Sequence, residues 1–280
     1  MAAKELTATL FVDGFLYGEG PRWHDGHLWF TDGPAGAVYV VEDDGEVDVA
    51  ALTSNPSGLG WMPDGTMVVS ALQTARIDQV VDGKARVLHD VTDIAWSTND
   101  MVVTADGGIY VDLYVIADET VVGKIGYIPP GSGIRVVSEA PELPNGMAIG
   151  TDRSTLLVAD TVGQRILSFP IHPDGELAEP RVFAGLGEGH HPDGICVDAE
   201  GAVWVGCYDT GEFLRVLDGG RVTHRVSSGE SWAVAPALGG AQGRTLFLIM
   251  NKTDHMGLVR GESVGRIECV DVDVPGLGWS

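Results

Sequence analysis

Six polar residues recur along the chain at intervals of 38 to 48 residues, each at the start of a short run of alternating polar and apolar residues. They are Glu19, Ser57, Asn99, Asn145, Asp193 and Ser231. Four of them carry carboxylate or amide oxygens, the ligands that hard divalent cations prefer: Glu19, Asn99, Asn145 and Asp193. Histidine and cysteine are absent from the six positions, which argues against zinc or copper. If the fold brings these positions together, we expect a site for Ca²⁺, or for Mg²⁺ or Mn²⁺, with Zn²⁺ less favoured.

Each of these residues, taken alone, is more simply explained by local structure. Asn145-Gly and Asp193-Gly are ordinary turn dipeptides, and a polar residue at the end of a strand needs no ligand to account for it. The recurrence of the same residue class at one position of a repeat is what favours a shared site over separate turns.

The repeat itself predicts the elements that position these residues. In five of the six units a turn follows the polar residue at nearly the same offset, and a second run rich in Val, Trp, Tyr and Leu comes next. A period near 40 residues with strand hairpins is typical of propeller blades, which have four strands each. The sequence therefore predicts an all-β fold, a six-bladed β-propeller, with residues 1–280 as a single domain.

Both ends of the chain fit a closed ring. Residues 6–12 are predicted to form a strand before the first blade, and residues 265–274 a strand after the last blade. Pairing of terminal strands would remove the exposed sheet edge that an open array of blades leaves.

In a propeller the first strand of each blade lines the central channel, so the six polar residues are predicted to form a ring at the mouth of a funnel. Asp193 is the candidate general base, because a ligand carboxylate can keep one oxygen free for the substrate. His190 and His191 are the next candidates, since histidine titrates near neutral pH and both precede a ring position. Four aromatic residues are candidates for lining the funnel, with packing between blades as the alternative role: Tyr17, Trp96, Tyr114 and Trp232.

Aspartates recur where second strands are expected to return to the rim: Asp32, Asp112, Asp160 and Asp209. Contact with a substrate is one role for them, and hydrogen bonding to turns is the more expected one.

Composition excludes several classes of partner. The chain has 40 acidic and 17 basic residues and a net charge of −23, so nucleic acids and anionic membrane surfaces would be repelled.

No apolar run is long enough to cross a bilayer, and the N-terminal residues do not resemble a signal peptide. Cys196, Cys207 and Cys269 form no disulfide framework and are expected to be reduced, which favours a cytoplasmic protein with a small-molecule substrate.

Four segments carry a resemblance to a known family: Glu19-Gly-Pro-Arg-Trp, Asn99-Asp, Leu143-Pro-Asn145-Gly-Met, and the stretch from Pro192-Asp193-Gly to Val205. They resemble the senescence marker protein, gluconolactonase and luciferin-regenerating enzyme family. The resemblance implies a six-bladed propeller that holds one calcium or other divalent ion, and a metal-dependent lactonase. It further implies Glu19, Asn145 and Asp193 as metal ligands, with Asn99 as a ligand or a substrate contact.

One departure from the family pattern bears on the substrate. Sugar lactonases of the family tend to carry an arginine two residues before the position of Asn99, and this chain has Ser97 there. A bidentate donor for sugar hydroxyls is therefore missing, and a cyclic ester less polar than an aldonolactone is expected.

Two other classes of function stay open at the level of the sequence. The chain could catalyse another metal-dependent reaction, such as phosphotriester hydrolysis or a lyase or isomerase step on a natural-product intermediate. It could also be a binding propeller that uses the metal only for stability.

Overall fold

The computed structural model describes residues 2–42, 45–117 and 120–278, and these residues have an all-β, propeller-like fold. This confirms the fold class that the repeat predicts, at the level of an all-β propeller-like arrangement of sheets. Two strands come first: β1 (Lys4–Leu6) and β2 (Thr9–Phe15). All later strands fall into antiparallel meanders, whose first members begin near the recurring polar residues.

The first meander is β3 (Gly18–His24), β4 (His27–Asp32), β5 (Ala37–Val41) and β6 (Val47–Leu52). The second is β7 (Pro56–Trp61), β8 (Met67–Ala71), β9 (Arg76–Val81) and β10 (Lys84–Asp90). The third is β11 (Met101–Val103), β12 (Ile109–Ala117), β13 (Thr120–Ile128) and β14 (Arg135–Ser138). The pairing of Lys84 with Leu52 joins the first two meanders into one eight-stranded sheet.

The fourth meander is β15 (Pro144–Ile149), β16 (Thr155–Asp160), β17 (Arg165–Pro170) and β18 (Arg181–Gly185). The fifth is β19 (Pro192–Val197), β20 (Val203–Cys207), β21 (Glu212–Val216) and β22 (Val222–Ser227). The sixth contains β23 (Trp232–Gly239), β24 (Thr245–Lys252) and β25 (Val264–Asp271), with the short helix α1 (His255–Arg260) between β24 and β25. Among the described residues no helix is long and apolar enough to cross a lipid bilayer.

The hydrophobic core lies between neighbouring meanders. Trp204 and Phe213 of the fifth meander, for example, pack against Leu248 and Met250 of the sixth. Second strands such as β20 are buried along their whole length, because the sheet is covered on both sides. The sequence of β20 is therefore apolar throughout and does not alternate between apolar and polar residues.

The first strands of the meanders contact one another in cyclic order, from β3 through β7, β11, β15 and β19 to β23, and β23 returns to β3. Glycines make this close approach possible. Gly20 has a φ of +50°, and a Cβ atom there would lie 2.4 Å from the carbonyl oxygen of Ser57. A Cβ atom on Gly146 would lie 2.5 Å from the carbonyl oxygen of Asp193. Both glycines lie at irregularities in the pairing of the first strands. The Asn145-Gly dipeptide suggests a turn, but Gly146 is part of β15.

The two ends of the chain meet in the sixth sheet, where β2 pairs antiparallel with β25. The closing strand is Thr9–Phe15 rather than the predicted residues 6–12, because Val12 and Phe15 both enter the apolar core shared by the first and last meanders. Leu6 belongs to β1, which instead pairs parallel with β22 of the fifth meander.

Candidate metal centre

A chain of hydrogen bonds joins recurring polar residues from four successive meanders. The Ser57 hydroxyl donates to Asn99 Oδ1 at 2.5 Å, and Asn99 Nδ2 donates to Asn145 Oδ1 at 3.0 Å. The Asn145 side chain in turn hydrogen-bonds to the carboxylate of Asp193. Side chains separated by some 40 residues in sequence therefore meet at the centre of the fold.

Glu19 completes this group from the first meander. Burial raises the pKa of Glu19 well above its usual range, and the negative charges of Asp193 and Asp100 raise it further. Burial also raises the pKa of Asp193, with Asp100 adding to the shift and the hydrogen bond from Asn145 opposing it. We refer to Glu19, Asn99, Asn145 and Asp193 as the carboxylate–amide cluster.

The donor set of this cluster fits a hard cation. No lysine, arginine or histidine among the described residues forms an ion pair with the half-buried Glu19 or the buried Asp193. The two carboxylates therefore repel each other when both are ionised. A divalent cation between them would remove this repulsion. Within the described ranges no group of three or more His, Cys, Asp or Glu side chains is arranged to hold a metal ion. The carboxylate–amide cluster contains only two such side chains, because its other two members, Asn99 and Asn145, are amides.

Carboxylates from second strands, or from the turn after one, hold the backbone that leads into the cluster. Asp32 accepts a hydrogen bond from the amide of Leu16 at 2.7 Å, and Asp112 accepts one from Asp100 at 2.9 Å. Asp160 and Asp209 bind the backbone preceding Asn145 and Asp193 in the same way. The recurring aspartates thus orient the backbone that leads into the first strands.

The sixth meander uses an amide for this purpose. Asn251 is fully buried at the end of β24, where it accepts a hydrogen bond from Gly18 N at 3.1 Å and donates one to Gly18 O at 3.0 Å. It therefore fixes the residue next to Glu19. The sequence signal for this role is an asparagine at the end of an otherwise apolar strand.

The predicted aromatic residues lie in two places. The Tyr114 hydroxyl accepts a hydrogen bond from Asn99 Nδ2 at 3.3 Å and donates one to the carbonyl of Pro144 at 3.1 Å, so it adjoins the cluster. The Trp96 side chain is 41% exposed, and its backbone amide bonds to Tyr114 O.

Trp232 belongs to a second aromatic group beside Tyr17. Its ring centroid lies 6.5 Å from that of Tyr17 and 5.3 Å from that of Tyr208. His255, the first residue of α1, lies 5.0 Å from Trp232. Neither residue is predicted from the sequence, because Tyr208 lies in the turn after β20 and nothing in the repeat places α1 next to this ring.

The two predicted histidines already have partners. His190 Nε2 lies 3.1 Å from Glu212 Oε2. His191 Nδ1 hydrogen-bonds to the Asp209 carboxylate, and its Nε2 lies 3.1 Å from the Gln164 amide nitrogen. The structure places neither ring in hydrogen-bonding contact with Asp193 among the described residues.

Ser231, the sixth residue of the pattern, and Ser97, which stands at the position of the family's arginine, hydrogen-bond to groups outside the cluster. The Ser231 hydroxyl accepts a hydrogen bond from Arg266 Nη1 at 2.7 Å. Ser97 is fully buried, accepts a hydrogen bond from Gln73 N at 2.8 Å and donates one to Thr98 O at 3.0 Å. Ser97 therefore does not take the place of the missing arginine.

A propeller-like fold with a half-buried carboxylate–amide cluster where its first strands meet defines a class of protein, and comparison with known families identifies which one. The model of the SMP-30/Gluconolactonase/LRE-like region matches residues 17–251. This protein belongs to that family.

Relatives and solved structures agree with this assignment. The chain is 23% identical to the pentonolactonase XacC of Haloferax volcanii, over 97% of this chain and 96% of that protein. Its fold matches the calcium-binding protein regucalcin of Agrobacterium tumefaciens with a TM-score of 0.81 at 19% identity, covering 98% of this chain and 97% of that one. It also matches a gluconolactonase of Xanthomonas campestris with a TM-score of 0.76 at 23% identity, covering 94% and 89% of the two chains.

Proposed function

We propose that this protein is a divalent-cation-dependent hydrolase that opens a lactone or another cyclic ester. The observation that carries the proposal is the pair of interacting carboxylates, the half-buried Glu19 and the buried Asp193, beside the hydrogen-bonded amides of Asn145 and Asn99 and with no basic group in ion-pair contact among the described residues. The six meanders, with β2 completing the last, are the blades of one propeller over residues 1–280. The cluster lies in its central funnel.

The cation is Ca²⁺, or another hard ion such as Mg²⁺ or Mn²⁺, because all the candidate ligands are oxygens. Glu19, Asn145 and Asp193 would hold it, with Asn99 as the fourth ligand or as a contact to the substrate. Asn99 Oδ1 accepts the hydroxyl of Ser57 and its amide nitrogen donates to Asn145, so it also orients its neighbour. When bound, such an ion polarises a carbonyl and stabilises the negative charge that forms on its oxygen.

Asp193 is proposed as the general base that accepts a proton from the attacking water. Its raised pKa favours this role, because a base works best when its pKa lies near the working pH. His191 and His190 are the second candidates, although each would have to leave its present partner, Asp209 or Glu212.

The relatives support the choice of reaction and cofactor. The two enzymes are named for lactone hydrolysis, and the regucalcin is described as calcium-binding. We extend both properties to this chain, with a small molecule as the substrate. The described cysteines are all free thiols, which favours action in the reducing cytoplasm.

We further propose that the substrate is less polar than an aldonolactone. Ser97 is buried where related sugar lactonases tend to carry arginine, Tyr114 adjoins the cluster, and Trp232 packs beside Tyr17. Apolar side chains are exposed in segments adjoining the same end of the first strands: Leu16, Trp96, Val162, Met256 and Val259. An apolar rim of this kind would bind alkyl groups better than hydroxyls.

The proposal is tested with a panel containing glucono-δ-lactone and δ-decalactone, assayed with added calcium and after treatment with EDTA. We expect hydrolysis that EDTA abolishes and calcium restores, with the alkyl lactone giving the higher kcat/KM. Hydrolysis that EDTA does not affect would contradict cation dependence. A preference for the sugar lactone would contradict only the proposed substrate polarity.

A further inference from the structure

Arg22 places a positive charge beneath the carboxylate–amide cluster. It follows Glu19 by three residues on β3, and it lines a cavity of about 100 Å³ between the first strands, together with Met147 and Ile195. Its Nη2 donates to the carbonyl oxygen of Met101 at 2.9 Å, and its Nη1 donates to that of Pro21 at 2.9 Å. Met101 belongs to β11, and β7 lies between β3 and β11 in the ring order, so the side chain of Arg22 reaches across the centre.

Asp100 is the acidic residue nearest in sequence to this contact. It occupies the position that glycine holds after Glu19, Ser57, Asn145 and Asp193, and its side chain is only 6% exposed. The charge of Arg22 interacts with those of Asp100 and Glu19. No carboxylate among the described residues lies within ion-pair distance of the guanidinium, so no single contact cancels its charge, and it acts on Asp100 and Glu19 at longer range.

We propose that Arg22 and Asp100 together set the affinity of the cluster for a divalent cation, with Arg22 lowering it and Asp100 raising it. This inference rests on the proposed function, because it presupposes that the cluster binds a cation. Charges buried near one another are weakly screened by water and salt, so a fixed positive charge below the site opposes the entry of a second one. Arg22 would not touch the cation itself. It acts as a positioning residue, through the electrostatic potential of its charge at the cluster and through its hydrogen bond to the backbone of Met101.

The sign of the effect separates this role from a purely structural one. Arg22→Met keeps most of the side-chain volume and removes the charge, so calcium should bind roughly tenfold more tightly or better. Arg22→Lys keeps the charge and should bind calcium about as the wild type does. If Arg22 only supported the fold, Arg22→Met would instead bind calcium less tightly and unfold at a lower temperature.

Calcium affinity is measured by titration in competition with a chromophoric chelator, using the complete chain. Asp100→Asn removes a negative charge instead, so it should bind calcium roughly tenfold more weakly than the wild type. This variant tests the proposal if Arg22→Met does not fold. Tighter binding by Arg22→Met, or weaker binding by Asp100→Asn, supports the proposal. Unchanged or reversed affinities in a wild-type background that binds calcium would overturn this inference alone, whereas a wild type that binds no divalent cation would overturn the proposed function as well.

Discussion

At the scale of single residues, Glu19 and Asp193 carry the same charge but are assigned different roles. Both should hold the cation, whereas only Asp193 accepts a proton. At saturating calcium we expect Asp193→Asn to lower kcat by roughly 100-fold, the usual contribution of a general base. Glu19→Gln should be largely rescued by added calcium, because its loss acts through occupancy of the site.

Steady-state kinetics over a range of calcium concentrations make this comparison. An equal loss of kcat in both variants at saturating calcium would show that the two roles are not separate. Full recovery of Asp193→Asn would move the base to another group, and His191→Gln and His190→Gln would then be the next variants to test.

The sequence predicts the members of the cluster better than their surroundings. Glu19, Asn145 and Asp193 can be found because a repeat puts equivalent residues at equivalent places. The partners of His190 and His191 cannot, because Glu212 lies on β21 and Asp209 in the turn before it, and their contacts with the histidines depend on how side chains pack. Ser231 matches the pattern, yet the structure turns its hydroxyl to Arg266, a residue outside the repeat signal.

At the scale of elements, close approach of the first strands depends on glycines that leave no room for a side chain. Gly146→Ala should lower the free energy of unfolding by about 1–3 kcal/mol, because the new methyl group would meet the carbonyl oxygen of Asp193. Gly185→Ala is the matched control, since a Cβ atom there has no neighbour within 4 Å. Denaturant unfolding checks both variants, and equal stabilities would contradict the account of strand packing.

Hairpins and their order can be predicted from alternation and turn residues, but the exact closing strand cannot. Residues 6–12 and Thr9–Phe15 are both suitable strand sequences. Irregular pairing between Leu10 and Val12, and again between Asp13 and Phe15, sets which side chains face the core. The helix α1 is likewise hard to foresee, because its six residues are fewer than a reliable helical pattern requires.

At the scale of the whole molecule, the protein without its cation should depend on pH in a defined direction. The pKa values of Glu19 and Asp193 are raised in the folded state, so their contribution to stability is complete below the unfolded value near 4 and is lost as pH rises through the folded values. In EDTA, the Tm of the wild type should therefore fall relative to that of the Glu19→Gln/Asp193→Asn double variant between about pH 5 and pH 8. Parallel Tm curves would contradict the raised pKa values.

The measurement that tests the central claim most directly is thermal unfolding of the wild type with added calcium and after removal of divalent ions. A cation that binds only the folded chain stabilises it in proportion to RT ln(1 + [L]/Kd), so the Tm should rise with calcium concentration and fall in EDTA. The double variant that lacks both carboxylates should show little of this response. A wild-type Tm that is the same in calcium and in EDTA, in a protein that contains no bound divalent metal by elemental analysis, would contradict a cation site in the carboxylate–amide cluster.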